Sequence, residues 1–107
     1  MAEIDDRLIG YTCYGKIDGT KGSFDLYWIA VDPEIQGSGI GRQLLERTET
    51  AMRAMGAISV YADTSSSDHY RPTRSFYVSM GFHEQARLED FYAKGDGKVI
   101  YEKVLAT

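Results

Sequence analysis

Hydrophobic and polar positions along the chain alternate between two periods, and the change of period marks out the elements. Leu8 to Ile17 reads as a strand, and Asp18-Gly19-Thr20-Lys21-Gly22 reads as a turn with two glycines. Phe24 to Val31 returns as the next strand, which predicts a hairpin. Its continuous stretch Leu26-Tyr27-Trp28-Ile29-Ala30-Val31 is β-branched and aromatic enough for a buried position in a sheet. The period then lengthens. Ile40, Leu44, Leu45, Thr48, Met52 and Met55 recur near helical spacing, with Arg42, Gln43, Glu46, Arg47 and Arg53 on the other faces. This predicts a long helix from about Ser38 to Met55, stopped at Gly56. Ile58 to Ala62 is the following strand, and a strand–helix–strand run of this kind normally sets its two strands parallel. Phe82 to Leu88 and Lys98 to Leu105 read as two more strands, joined through Phe91-Tyr92 and a polar turn at Gly95-Asp96-Gly97.

Between the buried strand and the long helix lies Gln36-Gly37-Ser38-Gly39-Ile40-Gly41. A glycine-rich turn from a strand into a helix leaves several backbone N–H groups unpaired and pointing one way, with the helix dipole behind them. Such a turn suits a phosphate. The spacing narrows the ligand. A P-loop closes on Gly-Lys-Ser/Thr, whereas this turn continues Gly41-Arg42-Gln43. A dinucleotide turn needs a third glycine where Arg42 stands, so Asp63, which imitates a ribose-binding acid, is a decoy and a dinucleotide oxidoreductase is disfavoured.

The turn fits Q/R-x-x-G-x-G/A, and with Val31-Asp32-Pro33-Glu34 ahead of it the chain resembles the GNAT superfamily of N-acetyltransferases, whose pyrophosphate-binding signature this is. A second stretch, Tyr70-Arg71-Pro72-Thr73-Arg74-Ser75-Phe76-Tyr77 followed by Met80-Gly81-Phe82, is similar to the family's short helix carrying FY and then GF. Pro72 suits the first turn of that helix and Gly81 its stop. The resulting order β-β-α-β-α-β-β implies an α/β (α+β) fold, a GNAT-like mixed central sheet flanked by helices, as a single domain over 1–107. The family usually begins with a further strand and helices that wall the acceptor pocket, whereas only the polar stretch Met1 to Arg7 precedes the first strand here. A minimal version, a piece of a longer protein, or a wall supplied by a second subunit would each account for that. A homodimer is the expected assembly, because an uncovered sheet face is usually covered.

The resemblance implies an acetyl-CoA-dependent N-acetyltransferase that passes the acetyl group directly to a primary amine. A catalytically idle acyl-CoA-binding or regulatory module of the same fold is the alternative. The amides from Gly37 to Arg42, with the side chains of Gln36 and Arg42, would hold the pyrophosphate, and Ser38, Gly39, Ile40 and Gly41 fall within that turn. Arg74 is a candidate for a nucleotide phosphate or a solvated surface arginine. The resemblance also implies that the strand splays near Ala30 and Val31. The freed backbone of Ile29, Ala30 and Val31 would then bind the pantetheine chain and thioester carbonyl like an added strand. Tyr77 matches the general-acid tyrosine, protonated at neutral pH with an ordinary pKa of about 10. Asp25, on the strand leading into the turn, is the positional match for a base that delivers the amine neutral; a strand-end surface aspartate is the other reading. Asp63 and Asp68 could instead contact the acceptor, and Tyr70 and Tyr92, in loops near its mouth, are expected to touch it.

Composition bounds the remainder. The lone Cys13 excludes a disulfide framework and a cysteine-based zinc site, and it reads as a small core residue. His69 and His83 lack metal-ligand spacing, so no metal is expected. A net charge of −4 argues against a nucleic-acid surface. No apolar run approaches membrane length, and Met1 to Arg7 is too polar for a signal peptide, so the expected address is cytoplasmic.

Overall fold

A computed structural model describes residues 2–4, 7–31 and 39–105. The elements in chain order are β1 (Ala2–Ile4), β2 (Arg7–Lys16), β3 (Ser23–Val31), α1 (Ile40–Ala54), β4 (Ser59–Ser65), a 3-10 turn (Asp68–Tyr70), α2 (Arg71–Ser79), β5 (His83–Ala93) and β6 (Asp96–Val104). They form a mixed α+β fold with one six-stranded sheet in the order β1-β2-β3-β4-β6-β5. Among the described residues only β3 and β4 pair in parallel, as the strand–helix–strand run predicts. The order read from the sequence therefore stands with one short strand added: β1 pairs antiparallel with β2 inside the stretch read as merely polar.

Both helices lie on one face of the sheet. Val60, Ala62 and Thr64 of β4 are buried while Tyr61 is partly covered and Asp63 exposed, the alternation expected of a strand with one wet face. Leu45 and Met52 from α1, and Tyr77 and Met80 from α2, join Phe24, Leu26, Val60, Ala62, Phe82, Val99 and Tyr101 in a single core. The α1 stripe differs from the sequence expectation at its end. Met55 stands 54% exposed, while Glu49, outside the apolar stripe, is only 3% exposed. Glu49 is tolerated there because Lys103 of β6 donates to both carboxylate oxygens at 2.9 and 3.0 Å. A buried carboxylate needs such a partner. Thr12 and Thr48 hydrogen-bond at 2.8 Å and tie α1 to β2.

The last hairpin is longer than the sequence suggests. Phe91 and Tyr92 belong to β5, and Asp96 and Gly97 already open β6, so the reversal falls at Lys94-Gly95. Its ladder jumps from Leu88↔Lys98 to Ala93↔Asp96, leaving residues 89–92 as an outward bulge. Asp90, at φ 56, accepts a hydrogen bond from the Gly95 N–H at 2.7 Å and closes that bulge. No helix among the described residues is long and apolar enough to cross a membrane.

Candidate active site

The site begins where the β3–β4 ladder ends. Ser23 to Leu26 pair with Ser59 to Ala62, and there the parallel pairing stops, although β3 continues to Val31 and β4 to Ser65. On its other side β3 passes from Leu26↔Tyr14 to Trp28↔Cys13, so Tyr27 is one additional residue in the strand. A bulge of this kind bends a strand and raises its local twist. It accounts for β3 turning away from β4 beyond Leu26. Beyond that point Ile29, Ala30 and Val31 keep β2 partners (Thr12, Tyr11 and Gly10) and have no rung with β4, leaving one backbone edge available. The opening starts at Tyr27, earlier than the Ala30–Val31 position expected.

Beyond β3 stands the start of α1. Gln36, Gly37 and Ser38 lie outside the described residues; Gly39, Ile40, Gly41 and Arg42 lie within them. Gly39 caps the helix in the left-handed region, at φ 87, a conformation that favours glycine. No side chain caps the helix and no acidic residue stands in its first turn. The first-turn N–H groups have no intrahelical acceptors. A Cβ built on Gly39 would meet nothing within 4 Å, so open space adjoins those donors. Among the described residues, this open space, the first-turn donors and a first turn without a carboxylate fit a pyrophosphate.

Tyr77 of α2 is 3% exposed and packs its ring against Phe82 and Tyr101, at centroid distances of 5.2 and 5.8 Å. Gly81 ends α2, and Phe82 N–H donates back to Tyr77 O at 3.0 Å, which is how the GF pair comes to lie beneath the tyrosine. Burial, reinforced by the charge of Asp63, pushes the Tyr77 phenol up to about 12. It is a proton donor across the physiological range. Asp25 lies opposite Tyr61 in the ladder, on the same sheet face as Asp63. Burial raises its carboxyl above the usual value, Asp63 raises it further, and Lys98 partly offsets both. A raised carboxyl is better matched to taking a proton from an amine.

Asp63, Tyr70 and Tyr92 line one cavity of about 400 Å³, together with Thr64, Ser65 and Asp96. Neither tyrosine is in a plain loop: Tyr70 ends the 3-10 turn and Tyr92 is on β5. Asp68 is not among the lining residues and pairs with Arg71 at 2.9 Å in solvent. Arg74 turns inward, its Nη1 donating to Ser65 O at 2.7 Å and Ser67 O at 2.8 Å. Those bonds make it a brace of the β4–α2 loop and commit one guanidinium nitrogen away from a nucleotide phosphate.

Sequence reasoning missed two residues here, Asp96 and Lys98. Asp96 accepts a short hydrogen bond from Ser65 Oγ. Lys98 Nζ lies 3.3 Å from Asp63 Oδ2 and 4.7 Å from the centroid of the Phe91 ring. Asp96 sat in a Gly-Asp-Gly stretch that imitates a plain turn, and only the flanking glycines hinted at close packing. At Gly97 a Cβ would come within 2.8 Å of Leu88 O, and its N–H donates to Ser66 Oγ at 2.8 Å.

Residues 1–84 match the family model described as an acetyltransferase (GNAT) domain. Among curated proteins the chain is 32% identical over 73 residues to the [ribosomal protein bS18]-alanine N-acetyltransferase of Escherichia coli K12, covering 68% of this chain and 48% of that one. The chain thus spans about half the length of that relative. The crystal structure of a GNAT-family protein from Desulfovibrio desulfuricans superposes with a TM-score of 0.95 at 45% identity, covering 97% of this chain and 65% of that one. The structure of yncA from Salmonella typhimurium, solved with its cofactor acetyl-CoA, superposes at a TM-score of 0.81 and 23% identity over 96% of this chain and 61% of that one, a likeness of fold.

Proposed function

The chain belongs to the GNAT acetyltransferase family, and from that premise we propose that it transfers the acetyl group of acetyl-CoA directly to a primary amine. The observation that carries this reading is the open ladder beyond Leu26 and Ala62, with a helix start rich in free donors beyond β3 and a buried tyrosine close enough to feel the charge of Asp63 on β4.

In this reading acetyl-CoA supplies a thioester. The first-turn amides of Gly39 to Arg42, together with Gln36, Gly37 and Ser38, hold its pyrophosphate. The free edge of Ile29 to Val31 takes the pantetheine as an added strand, and an amide on that edge donates to the thioester oxygen as charge develops there. Asp25 accepts the proton that the acceptor ammonium must lose before its nitrogen can attack. Tyr77 donates a hydrogen bond to the departing sulfur. A phenol near 12 is a weaker acid than a thiol of ordinary pKa, about 8.5, so its contribution is a hydrogen bond, with the thiolate's proton coming finally from the acceptor nitrogen. Asp63, Tyr70 and Tyr92 receive the acceptor.

Release of free thiol from acetyl-CoA, scanned across an amine panel, tests the activity. Thermal stabilisation by acetyl-CoA and not by NAD tests the cofactor separately. No thiol release with any amine overturns the enzymatic reading. The same reading carries a single domain over 1–107, a cytoplasmic address and a homodimer. The dimer draws support from the sheet face of Asp25, Tyr61 and Glu102, which the two described helices leave uncovered. Light scattering that shows a monodisperse monomer at high concentration contradicts the dimer.

A further inference from the structure

Lys98 stands where three strands meet the cavity. On β6 it lies opposite Ser65 of β4 on one side and Leu88 of β5 on the other. Leu88↔Lys98 is also the last rung before the β5 ladder jumps to Ala93↔Asp96, so Lys98 sits at the root of the 89–92 bulge. Diagonal neighbours on one sheet face are about 7–8 Å apart, a gap that a long side chain spans. The Lys98 stem reaches beyond Ser65 to Asp63, and its Nζ stops 3.3 Å from Oδ2.

The same ammonium lies 4.7 Å from the centroid of the Phe91 ring, within the range of a cation–π contact. Phe91 meets Tyr92 edge-on at 5.0 Å. Tyr92 lines the cavity from β5 as Asp63 lines it from β4, while Lys98 is not a lining residue. Lys98 is thus a strut behind the lining, with a contact to each wall. It is also sheltered: its side chain is 23% exposed, against 71% for Arg71 in the solvent pair with Asp68. An exposed ion pair contributes little. This one is partly covered, and its cation is shared with a ring.

Resting on the transferase reading above, we infer that Lys98 is a positioning residue of the transfer: it holds Asp63 and the Phe91–Tyr92 wall in place across the acceptor cavity and counters the Asp63 charge near Asp25. It touches neither cosubstrate nor acceptor in this role and acts through Asp63 and Tyr92. The groups that face Asp25 are few. β4 presents Tyr61 and Asp63, and β6 presents Lys98 and Glu102, whose carboxylate accepts the Tyr61 hydroxyl. β2 presents Gly15, over which Tyr27 lies, and both helices pack on the other face of the sheet. Asp63 raises the Asp25 carboxyl and Lys98 lowers it. Without the lysine, Asp63 loses that counter-charge and the Asp25 carboxyl moves further up. A base protonated to higher pH takes the acceptor's proton less often at neutral pH.

Three variants separate the two contacts. Lys98→Met keeps the stem and removes the charge, Lys98→Arg keeps the charge and still stacks on a ring, and Phe91→Leu removes the ring and keeps the ion pair. Carboxyl-carbon NMR titration follows Asp25 in each, and thiol release with butylamine and benzylamine as acceptor probes gives kcat and KM. Thermal melts verify folding. In Lys98→Met, Asp25 should titrate at higher pH than in the parent. The kcat/KM for the amines should fall by about two- to fivefold at neutral pH, the reach of an ion pair partly open to solvent, and recover as pH rises. Phe91→Leu should raise the amine KM by about two- to fivefold with kcat and the Asp25 titration unchanged. Lys98→Arg should stay close to the parent in both readouts. Parent titration of Asp25 in Lys98→Met, an equal loss in Lys98→Arg, or a parent amine KM in Phe91→Leu overturns the inference. If no amine of the wider panel releases thiol, the transferase reading fails, and the NMR titration still decides this one. A shift in Lys98→Met that Lys98→Arg lacks supports the strut, and parent titration in both rejects it.

Discussion

Leu26 and Ala62 form the last rung of the parallel ladder between β3 and β4. Both residues are buried in the core, so the closed half of the ladder is pinned by packing, while the half beyond them separates. The extra residue at Tyr27 bends β3 at that boundary. Core and site are therefore successive stretches of the same two strands. The elements facing the opening, the α1 start and Tyr77, are both anchored in the core below it.

Gly39→Val probes the cradle. A branched side chain at φ 87 is strained, and its methyls enter the space adjoining the helix donors. The variant should fold with a Tm lowered by about 5–10 °C, from a strain of one to two kcal/mol. It should show no calorimetric binding of acetyl-CoA. Unchanged affinity in the folded variant removes the phosphate role of this turn.

Tyr77→Phe keeps the ring packing and removes the hydroxyl. Loss of its hydrogen bond to the departing sulfur should lower turnover by about 10²–10³-fold with little change in acetyl-CoA affinity, measured where chemistry limits the rate. Wild-type turnover would leave Tyr77 as a core aromatic only.

The same residue leaves a mark on stability. Its pKa rises from 10.0 to about 12 on folding, so the folded protein holds this proton more tightly than the unfolded chain. The stabilisation is full below pH 10 and is lost as pH rises through 12. Urea titrations across that window should show a loss of about 3 kcal/mol from this group. Tyr61 and Tyr101, also raised, add to the fall, so Tyr77→Phe should shrink it rather than abolish it.

Asp25→Asn tests the base. If Asp25 takes the acceptor's proton, kcat/KM should drop most at neutral pH and recover as rising pH supplies free amine. Parent and variant profiles that superimpose assign the task to Asp63 or to water.

Lys103→Met takes both hydrogen bonds from the Glu49 carboxylate, which is only 3% exposed, and leaves it Arg53 Nη2 at 4.0 Å as an ion-pair partner. A loss of about 3–5 kcal/mol is expected, a large share of the stability of a domain this size. Adding Glu49→Leu should restore much of it, since an apolar pair of similar volume removes the buried charge. Denaturant midpoints of the two variants decide, and a neutral single variant would show that the carboxylate finds water.

Several parts of this protein were legible from local chemistry. The buried run Leu26 to Val31, the glycine turn, the α1 stripe and the Phe76-Tyr77 to Gly81-Phe82 stretch are contiguous. Their backbone preferences and periodicity act over a few residues, so the strand–turn–helix grammar and the family resemblance follow from them. Even the parallel pairing of β3 with β4 follows, because the connection between them leaves few other solutions.

Other features depend on residues far apart in the chain. Nothing local singles out Glu49, and its burial depends on Lys103, 54 positions on, which donates to its carboxylate. Arg74 reads as a free cation until the carbonyls of Ser65 and Ser67 take up one of its nitrogens. Asp96 reads as part of a turn until the β5–β6 ladder brings it to Ser65 and makes it the second carboxylate of the cavity. The sequence alone determined which segments form strands and helices, because those preferences are local. Where the ladder opens, which charges are paired, and which four side chains of Asp63, Asp96, Tyr70 and Tyr92 share one cavity were decided by the tertiary structure. Each of these relations depends on strand register and packing between distant segments, which no local pattern encodes.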